Sequence, residues 1–214
     1  MVTLASKSWM KGLQYLLAFI LAVFGMGPAD RSTFTLVDTL GAATPATEFQ
    51  LAGSGGQALS SYQQVGPMFV VTQPTLITEI GAFMTYCELL YGVIECPSTL
   101  PIVVRIRPAA DGQPDLSKVL GTYVFPTPRH PEVNAYEAVH PNLSLKPGTY
   151  FAIFGVQDDG SAGLLSGATI PFDYQAGVTR LAFVFSDGRT GTSELSLAVR
   201  VLGKRGMAKG WPGK

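Results

Sequence analysis

The chain has 214 residues and a formal net charge of zero, with 15 Lys and Arg against 15 Asp and Glu. Only 14% of residues are charged, while Gly (24) and Pro (15) are frequent; this excludes a disordered polyelectrolyte and a helical bundle and favours short strands joined by many turns. Neither of the two Cys has a His nearby in the sequence, and their spacing matches no zinc-finger or C-x-x-C pattern.

The first element is a leader at residues 1–29. Lys7 and Lys11 precede an apolar run from Leu13 to Phe24, which ends in Gly25-Met26-Gly27-Pro28-Ala29. A run of about a dozen apolar residues is shorter than the roughly 20 needed to span a bilayer, and Pro28 opposes helical continuation. The pattern is that of an export signal cleaved near Ala29; the alternative is a retained membrane segment, with residues 13–24 as the only membrane contact. Either outcome predicts an extracellular or envelope location, in the periplasm or at the cell surface. Without the leader about 185 residues remain, enough for one domain with a substantial core.

Residues 30–57 read as an N-terminal strand and linker. Thr33 to Thr39 alternates apolar and polar side chains in the period-two manner of a half-buried strand, and the Ala, Gly, Thr and Ser of 41–56 predict irregular structure. Strand signals then recur through residues 58–203. Pro67 to Thr72 and Thr75 to Thr85 flank Gln73-Pro74, and Ile102, Val104 and Ile106 alternate with Val103, Arg105 and Arg107, so one face meets the core and the other water. Asp111-Gly112 predicts a tight hairpin turn, and Lys146-Pro147-Gly148 a type II turn. Further on, Leu181, Phe183 and Phe185 share a face, as do Leu195, Leu197, Val199 and Val201 of a last strand. The expected fold is all-β: an antiparallel two-layer β-sandwich of eight to ten strands, jelly-roll-like, with a closed barrel as the alternative.

Residues 30–203 hold 15 acidic against 9 basic side chains, a net charge of −6 that argues against nucleic acid as a partner. The last segment, 204–214, carries four cations among Gly and Pro and reads as a basic flexible tail. Cys87 and Cys96 lie between two strand-like runs. In an oxidising compartment they predict a disulfide across a ten-residue loop, for which loop closure is worth roughly 2.5–3 kcal/mol.

The order of Val65-Gly66-Pro67-Met68-Phe69-Val70-Val71, Leu76-Ile77-Thr78-Glu79-Ile80-Gly81-Ala82-Phe83, Asp111-Gly112-Gln113-Pro114 and Leu145-Lys146-Pro147-Gly148-Thr149-Tyr150-Phe151 resembles the choice-of-anchor group of bacterial secreted β-sandwich domains, commonly associated with PEP-CTERM sorting. The resemblance covers roughly residues 58–203 and implies a jelly-roll-like extracellular module. It marks strand and turn positions rather than catalytic ones. The chain departs from that group in ending in Lys-Gly-Trp-Pro-Gly-Lys, which carries no hydrophobic anchor helix.

Candidate chemistry is sparse. His130 lies in a Pro-rich loop and His140 at a strand edge; both read as surface residues. Neither belongs to a Ser-His-Asp pattern, and there is no Gly-x-Ser-x-Gly elbow, phosphate loop or His-Glu-x-x-His helix. Asp158, Asp159 and Asp173 are the candidate ligands should an oxygen-lined loop bind calcium; no other cofactor is expected. The disulfide loop is unusual in being apolar, and Tyr86, Leu89, Leu90, Tyr91, Val93 and Ile94 form the candidate binding patch. The functional expectation is an exported non-enzymatic module that contacts a surface protein or polysaccharide. The alternative is a carbohydrate-binding or carbohydrate-cleaving domain, in which Tyr86, Tyr91 and Tyr174 would have to supply the aromatic contacts.

Overall fold

The computed structural model describes residues 32–40, 49–50, 56–60, 62–84, 88–90, 93–95, 101–126, 133–157, 166–171, 179–195 and 197–206. In chain order the strands are β1 (Thr33–Asp38), β2 (Phe49–Gln50), β3 (Gly56–Ser60), β4 (Gln63–Val71), β5 (Thr75–Met84), β6 (Glu88–Leu90), β7 (Val93–Glu95), β8 (Ile102–Ala110) and β9 (Gln113–Pro114). They continue as β10 (Gly121–Val124), β11 (Val133–Val139), β12 (Leu143–Leu145), β13 (Gly148–Val156), β14 (Ser166–Pro171), β15 (Thr179–Phe185), β16 (Thr190–Leu195) and β17 (Val199–Arg205).

Two antiparallel sheets form the sandwich. Sheet I runs β1-β17-β5-β11-β2, with β12 also on β5; sheet II runs β10-β8-β13-β4-β15-β16, with β9 on β8. The chain passes repeatedly from one to the other: β4 to β5, β5 to β8, β10 to β11, β12 to β13 and β16 to β17 each change sheet. This is the jelly-roll-like interleaving expected of such a sandwich. The strands are more numerous than the eight to ten expected, because short pieces such as β2, β9 and β12 leave no period-two signature.

Alternation decides what lies between the sheets. Val65, Phe69 and Val71 of β4, Ile102, Val104 and Ile106 of β8, and Ala152 and Phe154 of β13 meet Ile77, Ile80, Ala82 and Met84 of β5 and Val199 and Val201 of β17 in one buried cluster. Phe125 and Phe154 pack at 5.7 Å between ring centroids. Tyr150 lies beside Phe69 at 5.8 Å, and its hydroxyl donates to the Lys146 carbonyl at 2.8 Å, pinning the approach to β13.

Several expected boundaries move. β1 pairs with β17, Val37 against Val201, so the sandwich begins at Thr33 rather than at 58. Lys204 and Arg205 lie within β17, paired with Leu76 and Thr75, rather than in a flexible tail. The expected last strand is two strands: β16 lies in sheet II and β17 in sheet I, and Val199 N–H donates to the Leu197 carbonyl in a three-residue turn where the chain crosses over. Residues 136–145 likewise divide into β11 and β12 at Asn142, whose φ is 50°.

The turns split the same way. Asp111 and Gly112 take φ of 51° and 76°, the left-handed pair that closes a two-residue hairpin between Ala110 and Gln113. Gly148 lacks the positive φ a type II turn requires; instead it starts β13 opposite Val71.

Candidate functional site

The hairpin β6–β7 belongs to neither main sheet. Leu90 is registered against Val93, Leu89 against Ile94, and Glu88 against Glu95, leaving two intervening residues in the sequence, Tyr91-Gly92. Of the predicted binding residues, Leu89, Leu90, Val93 and Ile94 are therefore brought together as paired strand positions; Tyr86 and Tyr91 lie outside the described residues. So do Cys87 and Cys96. Glu88 opposite Glu95 was not anticipated: like charges directly across an antiparallel pair weaken it.

A second feature lies on the outer face of sheet I, assembled from four strands. Arg200 of β17 donates from Nε and Nη2 to Asp38 Oδ2 of β1 at 3.1 and 2.9 Å, and Leu40 N–H occupies Asp38 Oδ1 at 3.2 Å. Alongside, the Tyr136 hydroxyl of β11 donates to Glu79 Oε1 of β5 at 2.6 Å. The Tyr136 ring lies over Gly81, where an added Cβ would meet the hydroxyl at 2.2 Å, and edge-on to Phe83 with centroids 5.6 Å apart. Burial, then the hydrogen bond to Glu79 and its charge, hold the Tyr136 hydroxyl far above the ordinary phenol range. The Tyr136 hydroxyl is the donor of this pair, and each carboxylate already has its own donor.

The outer face of sheet II carries an apolar cluster. Phe151, Ile153, Ala182 and Val184 are buried there, with the partly buried Met68 beside them and Ala109 and Leu116 as a roof. The roof is an arm, residues 107–120, which leaves β8, turns at Asp111-Gly112 and brings β9 across to β16. At its tip, a side chain on Gly112 would sit 3.7 Å from Arg180 Nη2 of β15. Arg107 anchors the arm: its Nη1 donates to the carbonyls of Asp115, Leu116 and Lys118 at 3.2, 2.8 and 3.3 Å. Burial and then the nearby Arg105 lower the Arg107 pKa, while Asp115 opposes them. The sequence expectation that Arg105 and Arg107 share a face holds, but for Arg107 that face is covered rather than simply wet.

Most of the remaining candidates are not among the described residues. Asp158, Asp159 and Asp173 lie outside the described residues, as do His130 and Tyr174. Among the described residues no group of three or more His, Cys, Asp or Glu could hold a metal ion. His140 is exposed, with Nδ1 3.1 Å from the Thr78 carbonyl, a contact that places the proton on that nitrogen. Glu137, opposite the core residue Ala82, has its carboxyl pushed up by burial.

Sequence reasoning missed the Asp38–Arg200 and Glu79–Tyr136 pairs because their partners lie 162 and 57 positions apart. Only the sheet order makes them neighbours. No family model, curated protein or solved structure matches the chain.

Proposed function

We propose that the chain is an exported, non-enzymatic β-sandwich that contacts a cell-surface or extracellular-matrix partner through the β6–β7 hairpin. The observation that carries this reading is the hairpin itself: a short apolar strand pair that joins neither sheet. A two-stranded hairpin is marginally stable alone, and Glu88 opposite Glu95 at its base weakens it further. Cys87 and Cys96 are the next residues in sequence on either side of that glutamate pair, which supports a disulfide closing the base, because directly opposed strand residues lie within disulfide reach. The leader supports passage to a compartment where that bond persists, and the resemblance to secreted choice-of-anchor sandwiches agrees with it.

Non-reducing intact mass and fractionation after expression in a secreting bacterium test the export half. The expected product is about 29 residues shorter, lighter by two hydrogens and outside the inner membrane; a full-length reduced cytoplasmic product overturns it. For the contact half, purified protein is titrated against isolated cell envelopes, with a variant in which Leu89, Leu90, Val93 and Ile94 are all replaced by Ser. Loss of binding with the sandwich still folded is expected, and undiminished binding refutes the assignment.

The polar array on sheet I favours one further reading, a carbohydrate contact. Arg200, Asp38, Glu79 and Tyr136 present in-plane donors and acceptors of the kind sugar hydroxyls use. A glycan array with Arg200→Ala as the comparison tests it, and equal signals from both proteins count against it.

A further inference from the structure

Sheet II ends in two edges of different chemistry. At β16 the edge reads Thr-Gly-Thr-Ser-Glu-Leu and follows Arg189; at β10 the segment Val119-Leu120-Gly121-Thr122-Tyr123-Val124 has no charge at all. Val119, Leu120 and Val124 are 45%, 42% and 51% exposed, three of the five large hydrophobic side chains exposed among the described residues. Exposed apolar surface is therefore concentrated on this edge.

The backbone of the same segment is half used. Gly121 is opposite Ile106 and Tyr123 opposite Val104, and in that register Phe125 N–H donates to the Ile102 carbonyl at 2.8 Å. Alternate residues of an antiparallel pair turn their N–H and C=O groups towards the partner. Residues 121, 123 and 125 are thus engaged with β8, whereas Thr122 and Val124 turn theirs to the far side, where no described strand pairs. Native proteins blunt such an edge with charge, proline or a bulge. Here that protection stands only at the ends, as Lys118 and Pro126.

We propose that this edge is a self-association site, in which β10 adds antiparallel to β10 of a second copy about a two-fold axis at Tyr123. The two-fold places Thr122 opposite Val124 of the second copy and Val124 opposite its Thr122, so that all the outward N–H and C=O groups of these residues are paired. Shifting the register by two residues either way leaves a carbonyl orphaned, because Leu120 has already given its N–H to the Ile106 carbonyl at 2.8 Å and Pro126 has none. No charges meet across the seam, and the facing Thr and Val are β-branched side chains that suit a cross-strand pair. A second copy is favoured as the occupant because this edge satisfies itself. The proposal does not rest on the contact role assigned to β6–β7.

The test is sedimentation of the full chain across a concentration range, with amide exchange at Thr122 and Val124. The expected result is a weight-average mass rising towards twice the monomer, with slower exchange of those two amides at higher concentration. Val124→Pro removes an N–H that β8 does not use and is tolerated on an edge, so it should give a monomer with unchanged far-UV circular dichroism; should it unfold, Thr122→Lys serves in its place through like-charge repulsion across the seam. A monomer at every concentration overturns the proposal, as does a dimer whose Val124 amide exchanges as in the monomer or that persists in both variants. Protection of Val124 by an added extended peptide, with the protein alone monomeric, would assign the edge to a foreign strand and equally overturn self-association.

Discussion

The two outer faces of the sandwich solve the same problem differently. Sheet II keeps Phe151 and Ile153 on its outside and covers them with the 107–120 arm, held down by one guanidinium on three carbonyls. Sheet I buries only a small apolar cluster on its outer face, Phe83 with Leu40 and Ala198 beneath Tyr136, and lines that face with cross-strand polar pairs, Asp38 to Arg200 and Glu79 to Tyr136. Burial should therefore dominate the energetics of the first face and polar pairing the second. Apolar burial is worth several kcal/mol per large side chain, and a hydrogen bond to a charged group about 1.5–3 kcal/mol before exposure discounts it.

The largest effect is expected on the covered face at Gly66, where an added Cβ would lie 1.7 Å from the Ala152 carbonyl oxygen. Backbone cannot yield as a flexible side chain does, so Gly66→Ala should cost more than about 3 kcal/mol in urea unfolding; a smaller loss would show that β4 and β13 can separate freely. Next is Phe151→Ala, which should cost about 3–5 kcal/mol. If the loss is under about 1 kcal/mol, the arm does not seal this face and the contrast between the sheets fails.

Arg107→Ala should remove roughly 1.5–3 kcal/mol and accelerate amide exchange in residues 115–120 while leaving β13 protected. Exchange that rises equally in both places would mean the arm and sheet II unfold as one body. On the open face, Tyr136→Phe should cost only about 1 kcal/mol near neutral pH. Its pH dependence is more diagnostic. Because the folded state holds the Tyr136 hydroxyl protonated well above its ordinary value, that contribution is complete below about pH 10 and is lost as pH rises further. The alkaline fall in stability should therefore be shallower in Tyr136→Phe; identical slopes would show that the hydroxyl ionises freely in the fold.

Much of the sheet structure was legible because alternation is a local signal. Ile102, Val104 and Ile106 read as core residues, and Asp111-Gly112 as a hairpin, directly from spacing and residue type. Where the chain changes direction without Gly or Pro, the signal disappears: Leu195 to Val201 continues the period-two pattern while the backbone leaves sheet II at β16 and enters sheet I at β17. The candidate site was legible in part. The apolar stretch between Cys87 and Cys96 suggested a protruding loop, and its pairing of Leu89 with Ile94 and Leu90 with Val93 follows from a two-residue connection. The sheet I array was not legible, because nothing local to Asp38 points to Arg200.

The sequence by itself determined the class: low charge, abundant Gly and Pro, and period-two alternation admit an antiparallel sandwich and little else, since each is a property of a residue and its immediate neighbours. Only the tertiary structure decided which strands adjoin, that the Arg107 face is roofed by an arm, that Tyr136 meets Glu79, and that β10 has an apolar outer edge on which no described strand pairs. Those outcomes depend on strand order, and in an antiparallel sandwich strand order is set by how the whole set of apolar faces is best buried together rather than by any one segment.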